Sequence, residues 1–193
     1  LRQAAEALLY LHTPVPGGKG AVVHRDFKPE NILLDDDLNA YLADTGFAKM
    51  ESGPEASQQK SASLYLTKGY LDPSIVQGEG GYSAVTDGWA LGITLLVALT
   101  GRSPLNIIDQ CEDAFDRDFA EIDADKLTDV HAGWPSHVAT AIKDLSLSAA
   151  CGLCHPRERK KLAVATTLET LTSLAEGDGS GAGARSALEG VTS

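Results

Sequence analysis

Four polar side chains near the start of this chain have the types and spacing to do chemistry. "VVHRDFKPENILLD", residues 22–35, carries Asp26, Lys28 and Asn31, and "YLADTGFAK", residues 41–49, carries Asp44, which follows Asp26 by 18 positions. A carboxylate can orient an attacking hydroxyl and an ammonium can neutralise a moving phosphoryl group. An amide oxygen and a second carboxylate can hold a divalent cation. Together these are the requirements of phosphoryl transfer. Asp44 alone admits a second reading, because Asp-Thr-Gly after apolar residues is also how an aspartic protease presents its acid. That chemistry needs two such carboxylates sharing a proton. The chain has one Asp-Thr-Gly, so a homodimer would be required, and "HRDFKPEN" would have no role.

These groups can meet only if the elements around them bring them together. "AVVH", "NILL" and "AYLA" are short apolar runs, and the last two, flanking the polar "DDDLN", read as the strands of a hairpin. On that reading Asp26, Lys28 and Asn31 share one tight loop, and Asp44 returns to it along the second strand. "LRQAAEALLYLH" has apolar residues at helical spacing and should end before "TPVPGGKG". "SAVTDGWALGITLLVALTG" predicts a buried helix stopping at Gly101, with Pro104 beyond. "HVATAIKDLSLSAACGL" and "KLAVATTLETLTSLA" predict two more helices, the latter with Leu168, Leu171 and Leu174 or Ala175 on one face. Residues 50–63 read as a polar loop and 105–135 carry only a weak pattern. The Gly/Ser/Ala-rich end has too little apolar surface to order itself.

Composition narrows the function classes. With 193 residues the chain is long enough for one sizeable core. Its 16 basic and 27 acidic residues give a net charge of -11, which disfavours nucleic acid and anionic membranes as partners. The one basic run, "RERKK" at 157–161, reads as a solvated turn. "WALGITLLVAL", the most apolar stretch, is about half the length that crosses a bilayer. Three cysteines, an odd count, with no basic-then-apolar leader in the first residues, point to a reducing cytosol. The chain opens at Leu1 inside a helical pattern, so a piece of a longer protein is expected.

"HRDFKPEN" resembles the catalytic loop of protein kinases, and "ADTGFAK" resembles their Asp-Phe-Gly element with Thr45 for Phe. "LTKGYLDPS" is similar to the end of an activation segment, "TDGWALGITLLVALTGRSP" to the central buried helix, and "CHPRERKKL" to the turn before the last helix. The likeness spans about residues 1–175, and the Gly-Tyr-x-Asp-Pro form is most like plant receptor-like kinases and the Pelle/interleukin-receptor-associated group. It implies a mainly α (α+β) fold, the C-terminal lobe of a kinase with a small β-hairpin bearing the catalytic and metal residues. Residues 176–193 would be a disordered tail.

The resemblance also implies roles. Asp26 would be the base or hydroxyl-orienting group, Lys28 would contact the γ-phosphate, and Asn31 and Asp44 would hold Mg2+ bridging the phosphates of ATP. Lys28, with Thr67 lining the acceptor site, suggests serine/threonine specificity. Arg25 would pair with a phosphorylated activation-segment residue, for which Ser61 and Ser63 are nearest. Asp87 would hold the backbone of the catalytic loop from the buried helix. Arg159 would normally pair with a Glu where this chain has Ser74; Glu79 is the closest acid in sequence, and an unpaired buried guanidinium would cost about 3–5 kcal/mol. A complete kinase also needs a Gly-rich loop, a strand lysine and a helix glutamate. Only 25 residues precede Asp26, so the expected partners are a protein substrate and the missing N-terminal lobe of the parent chain. The parent would be a protein serine/threonine kinase and the isolated chain inactive; the alternative is a pseudokinase or truncated lobe acting as a binding module. The expected location is cytoplasmic, including the cytoplasmic part of a membrane-anchored receptor-like kinase.

Two further motifs fail on their own chemistry. "CGLCH", with Cys151, Cys154 and His155, matches a haem-attachment pattern but lacks the export that goes with it, and as a zinc site it lacks a fourth ligand. "DDDLN" begins like a calcium loop, yet Ala40 stands where Gly is needed and Gly46 where a bidentate Glu belongs.

Overall fold

The computed structural model describes residues 1–50, 68–78, 81–150 and 164–177. Ser61, Ser63, Thr67, Glu79, Cys151, Cys154, His155, Arg159 and the chain beyond residue 177 lie outside them. The described part is mainly helical with a few short strands. In chain order it runs α1 (Arg2–His12), β1 (Val22–Val23), β2 (Ile32–Leu34), β3 (Ala40–Leu42), β4 (Lys49–Met50), α2 (Pro73–Gln77), α3 (Ala84–Thr100), α4 (Ile107–Phe115), α5 (Ala124–Leu127), α6 (Ser136–Ala150) and α7 (Val164–Ala175).

The core is built around α3. Its run from Gly88 to Leu96 is buried on all sides, which is why its sequence is apolar without a polar face. Helix α3 packs chiefly on α6, and α1 packs on α7. Ala4, Ala5 and Leu8 give α1 one buried face at helical spacing, and the small alanines allow close approach. Two local devices fix the ends of α3. At its start the Thr86 hydroxyl accepts from the Ser83 N–H at 3.1 Å and donates to the Ser83 carbonyl at 2.8 Å. At its end Gly101 takes φ 66°, the left-handed conformation that closes a helix without a Cβ penalty.

Strands β2 and β3 form an antiparallel hairpin pairing Ile32 with Leu42, Leu33 with Tyr41 and Leu34 with Ala40. Its turn is held by Asp35, whose carboxylate accepts from the N–H groups of Asp37 and Asn39 and from the Asn39 side chain. Those bonds pull the Asp35 pKa below its usual value, the Asn39 side chain contributing most. The first carboxylate of "DDDLN" thus serves a turn. Strand β1 pairs with β4, Val22 with Met50 and Val23 with Lys49, a ladder the sequence analysis did not anticipate.

The weak stretch 105–135 contains two helices and a 3₁₀ turn at Phe119–Glu121. Ile107, Cys111 and the half-buried Phe115 recur every four residues on the inner side of α4, Asp109 and Asp113 are exposed, and Glu112 accepts from the Phe119 N–H at 2.9 Å. Lys143 of α6 is buried here, its Nζ donating to the carbonyls of Ala120 (2.7 Å) and Ile122. No helix among the described residues is long and apolar enough to cross a membrane.

Candidate active site

The loop between β1 and β2 carries three of the four candidate groups, and they converge on one carboxylate. Lys28 Nζ lies 2.7 Å from Asp26 Oδ2. The Asn31 amide nitrogen donates to the Asp26 carbonyl at 2.7 Å and to Asp26 Oδ2 at 3.2 Å. The Asn31 amide nitrogen is thus committed to Asp26. Asp26 is only 7% exposed, and these partners satisfy the hydrogen-bonding capacity of its buried carboxylate. The short spacing works because Pro29 opens a 3₁₀ turn ending at Asn31, which folds position 31 back toward position 26.

Asp44 reaches the same region through the hairpin. The Ala43 N–H donates to the Asn31 carbonyl at 2.8 Å, and the Ala43 carbonyl accepts from His24 Nε2 at 3.1 Å. The residue before Asp44 is therefore tied both to Asn31 and to the residue two before Asp26. That contact assigns the His24 proton to Nε2 and leaves Nδ1 facing the Asp26 N–H, 3.4 Å away. Asp44 is exposed and takes φ 58°, ψ 64°, with Oδ1 accepting from the Gly46 N–H at 3.3 Å. An Asp tolerates this left-handed conformation better than most residues. A Cβ on Gly46 would stand 3.2 Å from Asp44 Oδ1, so glycine there leaves the carboxylate room.

Arg25 is the second left-handed residue of the site, at φ 75°. A non-glycine residue in that region costs about 1–2 kcal/mol, so something must hold it there. Asp87 of α3 does so. It is buried to 1% exposure, and its carboxylate accepts from the His24 N–H at 2.7 Å and the Arg25 N–H at 2.8 Å. A third donor, His12 Nε2 at the end of α1, sits 2.7 Å from Asp87 Oδ2. Charge-assisted bonds of this kind are roughly twice as strong as neutral ones.

Of the ten residues singled out from sequence, the structure gathers Arg25, Asp26, Lys28, Asn31, Asp44 and Asp87 around one loop. The other four lie outside the described residues. Sequence reasoning missed His12, His24, Phe27 and Tyr82. His24 and Phe27 are fully buried and meet edge to face, with ring centroids 6.4 Å apart, anchoring the loop from beneath. Tyr82 lies under the Arg25 guanidinium, 4.0 Å from its ring centroid. Burial pushes its phenol pKa up, with the Arg25 charge opposing that shift. The signal available for His12 was a polar residue at the inner end of an otherwise apolar helical face.

No three His, Cys, Asp or Glu side chains among the described residues converge as a metal cage. The oxygens that could serve are the exposed Asp44 carboxylate and the amide oxygen of Asn31. That fits magnesium, which keeps most of its coordination for water and substrate phosphates.

Comparison with known proteins agrees with this architecture. A family model described as "Protein kinase domain" matches residues 1–170. The chain is similar to the serine/threonine-protein kinase CHK1 of Saccharomyces cerevisiae, 39% identical over 104 residues. It is also similar to the nodulation receptor kinase of Pisum sativum (42% over 104 residues) and to the probable L-type lectin-domain containing receptor kinase VII.2 of Arabidopsis thaliana (36% over 107 residues). These matches cover 53% of this chain for the first relative and 54% for the other two, but only 19%, 11% and 15% of those proteins in the order given. With the family model spanning most of its length, the chain belongs to the protein kinase family.

Proposed function

We propose that this chain is the C-terminal lobe, through about residue 175, of a protein kinase that transfers the γ-phosphoryl group of Mg-ATP to serine or threonine of a protein. The observation that carries this reading is the convergence of Lys28 and Asn31 on the Asp26 carboxylate, with Asp44 tied in through Ala43.

Asp26 accepts a hydrogen bond from the acceptor hydroxyl and orients it for attack, taking its proton as the bond to phosphorus forms. The Lys28 ammonium, already beside that carboxylate, offsets charge on the phosphoryl group in transit. Asn31 Oδ1 and Asp44 are the groups that would hold the divalent ion. When bound, Mg-ATP supplies the phosphoryl group and the positive charge that offsets its oxygens. Asp87 and His12 keep the loop from relaxing, so the geometry is set before substrate arrives.

The Gly-rich loop, strand lysine and helix glutamate of a kinase N-terminal lobe are not found within these 193 residues. The partner that completes the nucleotide pocket is accordingly such a lobe, and the chain by itself is inactive. Leu33, Leu34 and Tyr41 on the hairpin, with Met50 on β4, are large apolar side chains left exposed, as a surface covered by that lobe would be. A cytosolic setting and a protein substrate follow from the same reading.

The test is transfer of labelled phosphate from ATP to a mixture of Ser/Thr-containing proteins, by the chain fused to the N-terminal lobe of a related kinase. Asp26→Asn should lower the rate by roughly 10²–10⁴-fold. Equal rates with and without the substitution would sink the catalytic reading in favour of a binding lobe. Transfer by the chain alone, abolished by the same substitution, would refute its inactivity.

A further inference from the structure

We propose that Tyr82 is a positioning residue for the catalytic loop, carrying the Arg25 guanidinium on its ring and so fixing Asp26 by a route independent of phosphorylation. Arg25 Cζ stands 4.0 Å from the centroid of the Tyr82 ring, within the range of a cation–π stack. Arg25 Nε and the Tyr82 hydroxyl are both buried, and neither hydrogen-bonds to any of the described residues. The face of the ring receives the guanidinium carbon, and the phenol oxygen lies close enough for the Arg25 side chain to oppose the rise of its pKa. Asp26, Asp72 and Asp87 line the same small cleft, yet Arg25 forms no ion pair among the described residues.

The backbone gives the stack its consequence. Arg25 is strained at φ 75° and gripped at both ends: its N–H by Asp87 Oδ1 at 2.8 Å, its guanidinium by Tyr82. Both grips come from one rigid piece of chain. Tyr82 immediately precedes Ser83, which is locked to Thr86, and Asp87 is the next residue. Releasing the side-chain grip frees Arg25 to leave the left-handed region, and Asp26 moves with it. A phosphoryl group arriving at the guanidinium edge would meet an arginine already in place. The effect on catalysis rests on Asp26 being the hydroxyl-orienting acid; the stack itself does not.

The experiment is NMR on the full chain after phosphatase treatment, following the side-chain Nε–H of Arg25 and amide exchange along the loop. In the unsubstituted protein the Arg25 Nε–H should lie upfield of the other arginines through the ring current. Tyr82→Phe should preserve that shift, since the ring that carries the guanidinium is kept, and Tyr82→Leu should abolish it. In Tyr82→Leu, exchange at the His24 and Arg25 amides should rise by roughly tenfold, with Leu91–Leu95 of α3 unchanged. An Arg25 Nε–H at the position of a solvated arginine, an upfield shift seen only in phosphorylated protein, or unchanged exchange in Tyr82→Leu would each overturn the proposal. If Tyr82→Leu loses the protection of α3 as well, the unsubstituted and Tyr82→Phe spectra decide. Equal phosphate transfer with and without Asp26→Asn in the chain fused to an N-terminal lobe would count against the reading of the site and leave these outcomes unaffected.

Discussion

Replacing Asp87 with alanine removes the acceptor of three hydrogen bonds at once: from the His24 N–H (2.7 Å), the Arg25 N–H (2.8 Å) and His12 Nε2 (2.7 Å). Each buried donor left without a partner costs about 1–3 kcal/mol. The three share one acceptor and one loop, so their costs do not add. The loop can also open enough to admit water. Taken together these considerations put the loss at about 3–5 kcal/mol, the range for breaking a buried charged contact. A domain of this size has about 5–15 kcal/mol in hand, so the protein should survive in weakened form or sit close to its unfolding threshold. Asp87→Asn keeps the shape and one accepting oxygen but turns an NH2 toward a donor, and should cost about half as much. His12→Phe, which leaves both backbone bonds, should cost about 1–2 kcal/mol alone and almost nothing in the Asp87→Ala background. Urea unfolding followed by far-UV circular dichroism measures all four proteins. A loss below about 1 kcal/mol for Asp87→Ala, or full additivity with His12→Phe, would refute the three-bond clamp.

Gly69 takes φ 102°, and a Cβ there would lie 2.7 Å from the backbone carbon of Pro104, so Gly69→Ala should lower the urea-derived stability by at least about 2 kcal/mol. Lys143→Met leaves the Ala120 and Ile122 carbonyls without their ammonium donor and should cost about 2 kcal/mol by the same measurement. Burial, helped by the charge of Glu30, pushes the Tyr70 phenol up to about 12 from 10.0. The folded state thus holds its proton more tightly, which contributes stability fully below pH 10 and loses it as pH rises toward 12. Between about pH 9 and 11.5 the native protein should lose about 1 kcal/mol more than Tyr70→Phe, after allowing for solvent at the ring edge. An identical pH dependence in the two proteins would show that the phenol is solvated.

What could be read from the sequence follows the range of the interactions involved. The hairpin was legible because its apolar runs and its Asp-rich turn are local, and α1, α3, α6 and α7 because each carries a long helical pattern. Helix α4 was obscured because its buried residues, Ile107 and Cys111, are few and its outer side is crowded with acids. Strand β4 was invisible because Lys49 and Met50 carry no strand pattern of their own and pair only because β1 lies beside them. At the site, the spacing of Asp26, Lys28 and Asn31 pointed to one loop. The groups that brace it come from elsewhere in the chain: His12 is 75 residues from Asp87, and Tyr82 is distant in sequence from Arg25. No short motif encodes such contacts, and a single histidine or tyrosine has no distinguishing neighbours.

The most direct measurement is paramagnetic broadening by Mn2+ with ADP, titrated into the isotope-labelled chain joined to the N-terminal lobe of a related kinase. If Asn31 and Asp44 hold the metal of a bound nucleotide, the amide signals of Asn31, Ala43, Asp44 and Gly46 should fade first. Asp44→Asn should remove that preference while leaving the spectrum otherwise folded. Broadening that begins at the Asp35–Asp37 turn or spreads evenly over the acidic surface, with Asn31 and Asp44 untouched, would contradict the assignment of this loop as a phosphoryl-transfer site.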